Sequence, residues 1–312
     1  MKTAQINEYG DASAVNVVDA DQPIASDGQV LVKVNASSLN PVDSAIRSGY
    51  FHQMMPVQFP ATLGGDIAGE VVEVGNGVEG FAVGDKVYGQ AAVIAGNSGA
   101  FAEYAATNAG QLAKAPENIS LNEAASLPLV GVSALQALTQ HINLQPGQKI
   151  LITGGAGGIG RIAIQIAKNI GAHVATTVTG EGISAAKSLG ADEAIDYKSQ
   201  DFAEVLSDYD AVFDTVGGEE FAKTLTVLKK GGVAVTMAAQ PDQAQAEELG
   251  VTAVQQMTQV TSEALSQLRE LVESGVVKPQ VGKVFSLDEI QEAFTARESG
   301  TVSGKVVLEI SK

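Results

Sequence analysis

One short run dictates most of what this chain can become: Thr153-Gly154-Gly155-Ala156-Gly157-Gly158-Ile159-Gly160. Ahead of it stands Lys149-Ile-Leu-Ile152, a continuous apolar strand of the kind buried in a parallel sheet. Behind it comes Ile159–Ile170, where Ile162, Ile166 and Ile170 recur every four residues on one helix face. Within the run, Gly155-x-Gly157-x-x-Gly160 has the spacing of a dinucleotide fingerprint, in the strand–turn–helix setting that such a fingerprint requires. The site needs backbone that turns tightly and meets a pyrophosphate without a Cβ, with a helix N-terminus facing the negative charge. Glycines alone would equally make a tight turn; the flanking strand and helix are what favour a nucleotide.

The alternation continues downstream. Strands are expected at Ala172–Val178, Glu193–Tyr197, Ala211–Thr215 and Gly232–Met237, with helices at Ile183–Leu189, near Phe202–Leu206 and at Glu219–Leu228. Strands alternating with helices imply an α/β fold with a doubly wound parallel sheet, a Rossmann-like domain. The first ~115 residues read as β-rich instead. Val30, Val32, Val34 and Ala36 alternate with Leu31, Lys33 and Asn35, the period of a half-buried strand, and short strands are expected at Glu70–Val74 and Asp85–Tyr88. Turns at Gly64-Gly65-Asp66, Gly75-Asn76-Gly77 and Val83-Gly84-Asp85 separate them, which suggests a compact barrel-like unit. In the tail, Ser262–Ser274 has a helix pattern, Ser286-Leu-Asp-Glu289 has the form of a capping box, and Lys305–Ile310 alternates as a last strand. Periodicity does not assign this tail to either domain.

Composition removes several classes of function. The 312 residues suffice for two domains. Their 36 acidic and 19 basic side chains leave a formal net charge of −17, which repels the phosphates of nucleic acid. With no cysteine, disulfides, a cysteine nucleophile, iron–sulfur clusters and thiolate zinc sites are excluded. No run reaches the roughly 18–20 apolar residues of a membrane span. The segment Leu127–Leu138 is short and broken by Gly131 and Ser133. The start, MKTAQINEYGDAS, lacks the basic-then-apolar pattern of a secretory signal, so a soluble, cytoplasmic protein is expected.

The choice of nucleotide turns on the second strand of the Rossmann-like part. An NAD site offers an acid about 20 residues past the fingerprint for the ribose 2′-hydroxyl. Here Ala175-Thr-Thr-Val-Thr-Gly180 contains none, and Thr177 and Thr179 are able to donate to a 2′-phosphate, which favours NADPH over NADH. Glu181 just beyond weakens that inference, and the threonines are equally good strand formers. His52, His141 and His173 stand on different elements without metal-binding spacing. His141 and His173 read as structural, and His52 is a modest active-site candidate. No Gly-x-Ser-x-Gly elbow is present to anchor hydrolysis. Acidic pairs such as Glu247-Glu248 and Asp192-Glu193 read as solvated faces.

Taken together, an ordered set of motifs resembles one family over nearly the whole chain. The set begins with Asn40-Pro-Val-Asp43, Ile46-Arg-Ser-Gly49, Leu63–Val78 and Gly80–Gly89. It continues through the glycine run to Leu189-Gly-Ala-Asp-Glu-Ala-Ile-Asp-Tyr197, Asp210-Ala-Val-Phe-Asp-Thr-Val-Gly217, Val281–Leu287 and Gly304–Leu308. These resemble the zinc-independent quinone oxidoreductases of the medium-chain dehydrogenase/reductase superfamily. The resemblance implies a GroES-like β-rich catalytic domain over 1–122, completed by 268–312, and a Rossmann domain over 123–267. It also implies a nicotinamide in the cleft and a homodimer joined through the sheet edges. Zinc-dependent relatives carry Gly-His-Glu where this chain has Gly64-Gly65-Asp66, and a Cys near Ser38 to Asn40. No metal ligands are therefore expected, and without a Lewis acid to stabilise an alkoxide, alcohol oxidation is disfavoured.

Carried over by position, the resemblance implies Asn40 beside the nicotinamide and Ser133 near its carboxamide and ribose. Gly155, Gly157, Gly158, Ile159 and Gly160 fall at the pyrophosphate. Thr177, Thr179 and Tyr197 fall toward the adenosine 2′-phosphate, and Gly217 also falls at the cofactor. The lysine that some relatives place after the second strand is replaced near Gly182. Tyr50 or Phe51 falls where relatives carry a substrate-side aromatic, with Tyr50 the candidate proton donor or else packing the cleft wall. The expected activity is NADPH-dependent reduction of a small-molecule quinone. The alternatives are reduction of the C=C bond of an enone, or NADPH binding without turnover.

Overall fold

The computed structural model describes residues 1–54 and 56–311. The chain forms two compact units: one of Met1–Leu129, Val260–Ser274 and Pro279–Lys312, the other of Val130–Gln259 and Gly275–Lys278. The resemblance had implied borders near 122 and 268; the units divide after Leu129 and before Val260.

The second unit is built on a six-stranded sheet. Across it run Glu193–Asp196, His173–Val178, Lys149–Ile152, Tyr209–Asp214, Leu228–Thr236 and Thr252–Gln255, every neighbouring pair parallel. In chain order this is 3-2-1-4-5-6, the doubly wound Rossmann arrangement, with its order reversing between the first and fourth strands. Ile150, Leu151 and Ile152 are fully buried at its centre, as an apolar run covered on both faces requires. The helix Gly158–Ile170 lays its isoleucine face inward and ends at Gly171 in the left-handed conformation.

Two expectations in this unit change. The helix expected over Glu219–Leu228 is Glu220–Thr224 followed by a single tight turn, Leu225–Val227. The fifth strand therefore starts at Leu228, paired with Tyr209, and is interrupted before Val233 pairs with Ala211. Gly231 has a positive φ within that interruption, so the strand expected from Gly232 has an irregular entrance over Lys229-Lys230-Gly231-Gly232. Residues 240–260 carry none of the elements expected from periodicity. They hold a helix Gln243–Leu249, capped by the Asp242 carboxylate on the N–H groups of Ala244 and Gln245, and then the sixth strand.

The first unit is β-rich. Asn16–Asp19, Lys2–Ile6 and Ala61–Thr62 form a small sheet. A larger one runs Val281–Ser286, Lys305–Glu309, Gln29–Ser38, Asp66–Val74, Lys86–Gln90, Leu112–Lys114, with Tyr104–Asn108 also paired to Gln29–Ser38. The last strand lies antiparallel on Gln29–Ser38, Val307 opposite Ser38, so the tail belongs to this unit. The tail helix Ser262–Glu273 is tied to the same sheet. Buried Tyr88 donates its hydroxyl to the Leu265 carbonyl at 2.6 Å, and Ser262 Oγ donates to the Leu112 carbonyl. Among the described residues no helix is long and apolar enough to cross a membrane.

The Tyr88 contact is testable in isolation. Tyr88→Phe removes one buried hydrogen bond and little volume, so it should cost about 1 kcal/mol and lower the melting temperature by about 2–4 °C. An unchanged melting curve would show that this bond does not anchor the tail helix.

Candidate functional site

In the parallel-sheet unit, the glycine run folds into a loop that leaves one edge open. Gly155 and Gly160 are buried, whereas Gly157 is exposed and Gly158 and Ile159 are partly so. The inner glycines are required by contact. A Cβ on Gly155 would lie 2.1 Å from Thr176 Oγ1, and one on Gly160 would lie 2.3 Å from the Gly154 carbonyl oxygen. The outer ones start the long helix: Gly157 is its N-cap and no side chain caps the turn. The first N–H groups of the helix are thus available to an anion at the positive end of the helix dipole. Buried Arg161 braces the loop from below, donating Nε–H to the Ala156 carbonyl at 2.8 Å. Burial lowers the pKa of that guanidinium.

The expected adenosine-side residues divide. Thr177 is buried, and its Oγ1 accepts the Gly154 N–H at 3.1 Å while its carbonyl accepts the Gly155 N–H. That hydroxyl oxygen shapes the glycine loop. Thr179 is half-buried and Tyr197 exposed, both at the ends of neighbouring strands. On the other side, Gly217 is buried with its N–H on the Asp214 carboxylate. Ser133 is fully buried, its Oγ 2.7 Å from Thr258 Oγ1.

The expected catalytic residues lie in the β-rich unit. Asn40 ends the strand Gln29–Ser38 region and caps the helix Pro41–Ser48. It is 1% exposed, and its amide is engaged at both ends. Nδ2 donates to Asp66 Oδ2 at 2.7 Å, and Oδ1 accepts from Lys305 Nζ. Its own N–H donates to Asp43 Oδ2 at 2.6 Å. Asp66 is fully buried and also accepts from Ser38 Oγ and the Leu129 N–H, with Lys305 Nζ at 3.6 Å. Burial lifts the Asp43 carboxyl to about 7, against the pull of the Asn40 N–H. Burial likewise lowers the Lys305 ammonium, opposed by Asp66 and Asp43. Tyr50, by contrast, is 79% exposed, its ring edge-on to Phe51. Met55 of the same loop lies outside the described residues. His52 is exposed with Nδ1 2.7 Å from the Gly49 carbonyl, and His173 pairs with Glu193 at 2.8 Å.

Comparison with known proteins gives this geometry a context. Residues 26–117 match the alcohol dehydrogenase GroES-like domain family, and residues 189–308 match the zinc-binding dehydrogenase family. The chain is 34% identical to a chloroplast envelope quinone oxidoreductase homolog of Arabidopsis thaliana, over 99% of this chain and 98% of that one. It is 36% identical to the NADPH-dependent alkenal/one oxidoreductase of Arabidopsis thaliana chloroplasts, over 96% of this chain and 78% of the relative. The solved structure of the quinone oxidoreductase from Coxiella burnetii superposes with a TM-score of 0.91 at 34% identity, covering 100% of this chain and 99% of that one. The chain belongs to the quinone oxidoreductase family of the medium-chain dehydrogenase/reductase superfamily.

Within that family frame, the residues that sequence reading did not single out are buried ionic ones. Asp43 and Asp66 appeared only inside longer motifs, and Lys305 only as the start of a strand; their convergence on Asn40 depends on tail and N-terminal strands meeting in one sheet. Asp214 and its hydroxyl partners Thr153 and Thr236 were likewise hidden, because three strand ends far apart in sequence bring them together.

The raised Asp43 pKa fixes the sign of a pH effect. The folded chain holds this proton where the unfolded chain has released it, so the contribution of Asp43 to stability falls as pH rises from about 4 to about 7, then stays flat. Asp43→Asn keeps a carbonyl for the Asn40 N–H and removes the titration. Its melting temperature relative to the parent should climb across that window and level off above it. A constant difference from pH 4 to 8 would contradict the assignment.

Proposed function

We propose that this chain is an NADPH-dependent, zinc-independent reductase that delivers hydride to a quinone. The observation that carries the reading is the uncapped helix start at Gly157–Gly160, open on one edge at the carboxyl end of the central strand of a 3-2-1-4-5-6 sheet. Tight packing of Gly155 and Gly160 leaves backbone, with no side chain, to meet a pyrophosphate there. The names of the relatives support the chemistry: quinone oxidoreductases, and an alkenal/one reductase described as NADPH-dependent. Lack of an acid in residues 175–179 supports NADPH over NADH, with Thr177, Thr179 and Tyr197 on the 2′-phosphate side; Thr177 Oγ1 accepts the Gly154 N–H and keeps its own O–H to donate.

When bound, the dihydronicotinamide supplies the hydride. The protein positions it. Gly157, Gly158 and Ile159 pack against the pyrophosphate, with the N–H groups of Gly158 and Ile159 turned to it while that of Gly157 stays on the Gly154 carbonyl, and Ser133 serves the nicotinamide half. The Asn40 amide is pinned by Lys305 and Asp66 in one orientation. Positioning of this kind supplies most of the rate for a conjugated acceptor, whose own delocalisation spreads the charge. Reduction of enones is the second reading, supported by the alkenal/one reductase relative. There the enolate carbon must be protonated, and Tyr50, open to solvent, is the side chain we assign to that step. We also propose a cytoplasmic homodimer joined through an exposed sheet edge such as Thr252–Gln255.

The direct test follows NADPH oxidation in chelator-treated buffer with a quinone and an unsaturated ketone in parallel, and NADH as the control donor. Turnover with NADPH and quinone, undiminished by chelator, is expected. NADPH binding without turnover on either acceptor would shift the protein to a binding role. Tyr50→Phe should slow the enone reaction by at least about tenfold and leave the quinone reaction within about twofold. Equal rates on enone would remove Tyr50 from proton delivery.

A further inference from the structure

The carboxylate of Asp214 ends the fourth strand at the point where the sheet order reverses, and it is 1% exposed. It faces inward only. Oδ1 accepts from Thr153 Oγ1 at 2.6 Å, and Oδ2 accepts from Thr236 Oγ1 at 2.7 Å. The N–H of Gly217 reaches both oxygens at 3.0 and 3.2 Å, and that of Val216 reaches Oδ1 at 3.3 Å. One carboxylate therefore joins the carboxyl ends of the first, fourth and fifth strands. Its donors are carried onward: Thr236 Oγ1 in turn accepts the N–H groups of Ala238 and Ala239, and Thr215 Oγ1 donates to the Thr153 carbonyl. The two turns it controls are in contact, since a Cβ on Gly217 would lie 2.6 Å from the Ala238 carbonyl oxygen.

The opposite side of the sheet is held by other groups. There the glycine loop hangs on Thr177, through the Gly154 and Gly155 N–H groups, and the third strand continues by the Tyr197 N–H on the Val178 carbonyl. Asp214 makes none of these bonds; its one tie to the glycine run is the hydroxyl of Thr153, the residue before Gly154. A doubly wound sheet of this order binds the two mononucleotide halves of a dinucleotide on either side of the reversal point. A buried anion also repels a polyanionic ligand, so Asp214 does not serve by attraction. Its effect must come through the backbone it fixes.

We propose that Asp214 is a positioning residue for the nicotinamide half of the dinucleotide and leaves the adenosine half largely independent; this rests on the NADPH reading above. The test is equilibrium binding, by titration calorimetry, of NADPH and of 2′,5′-ADP, which represents the adenosine half alone. Asp214→Asn puts an amide N–H among donors, and Thr236→Val removes one hydroxyl without touching the carboxylate. Both variants are checked for folding by circular dichroism. NADPH affinity should fall at least about tenfold in Asp214→Asn and by a smaller factor in Thr236→Val, while 2′,5′-ADP affinity stays within about twofold. If Asp214→Asn does not fold, the Thr236→Val pair of affinities decides. Equal losses for both ligands would make Asp214 a general structural residue, and no loss for either would remove it from binding; both overturn the proposal. Failure of the parent itself to bind NADPH would overturn the functional reading instead.

Discussion

The parallel-sheet unit depends on how closely the helix Gly158–Ile170 approaches the strand before it. Gly160 passes the Gly154 carbonyl with no room for a Cβ, and Gly155 passes Thr176 with none either. That contact sets where the helix begins, and the beginning of the helix sets where its unpaired N–H groups point. A larger residue at either position would move the helix away from the sheet. The Arg161–Ala156 bond and the Thr177–Gly154 bond then hold the same loop from two other directions, so its shape is fixed by packing before any ligand arrives. Such a preformed cradle reduces the ordering that binding would otherwise require.

The β-rich unit solves a different problem. It buries Asp43, Asp66 and Lys305 around one asparagine, and buried ion pairs are poor sources of net stability because both partners lose water. Here the desolvation is offset by a full set of partners. The Lys305 ammonium has the Leu39 carbonyl and Asn40 Oδ1, and Asp66 has a serine hydroxyl, an amide and a backbone N–H. What the arrangement gives in return is orientation: Asn40 Oδ1 can face only the cation and Nδ2 only the carboxylate.

Much of this was legible in the sequence. The glycine run, its strand and its helix were readable because they are contiguous and each obeys a local rule. The fifth strand, expected from Gly232, begins earlier because pairing of Leu228 with Tyr209 recruits residues that the helix pattern had claimed. The sixth strand is short and follows a helix whose markers, Asp242 before it and Gly250 after it, were present but weak. Thr177 carries a second duty that residue type alone does not reveal: its oxygen accepts from Gly154, while its O–H stays able to donate. Asp214 and Lys305 were beyond reach, since nothing local marks a charged residue as buried and partnered across 22 to 266 residues of chain.

One titration tests whether the glycine loop is the dinucleotide site. NADPH binding is measured calorimetrically for the parent and for Gly160→Val, with circular dichroism to confirm that the variant is folded. The parent should bind one NADPH per chain, and Gly160→Val, folded but with its loop forced off the Gly154 carbonyl, should lose that binding by about a hundredfold or more. A folded Gly160→Val that binds NADPH as tightly as the parent would place the dinucleotide somewhere other than this loop.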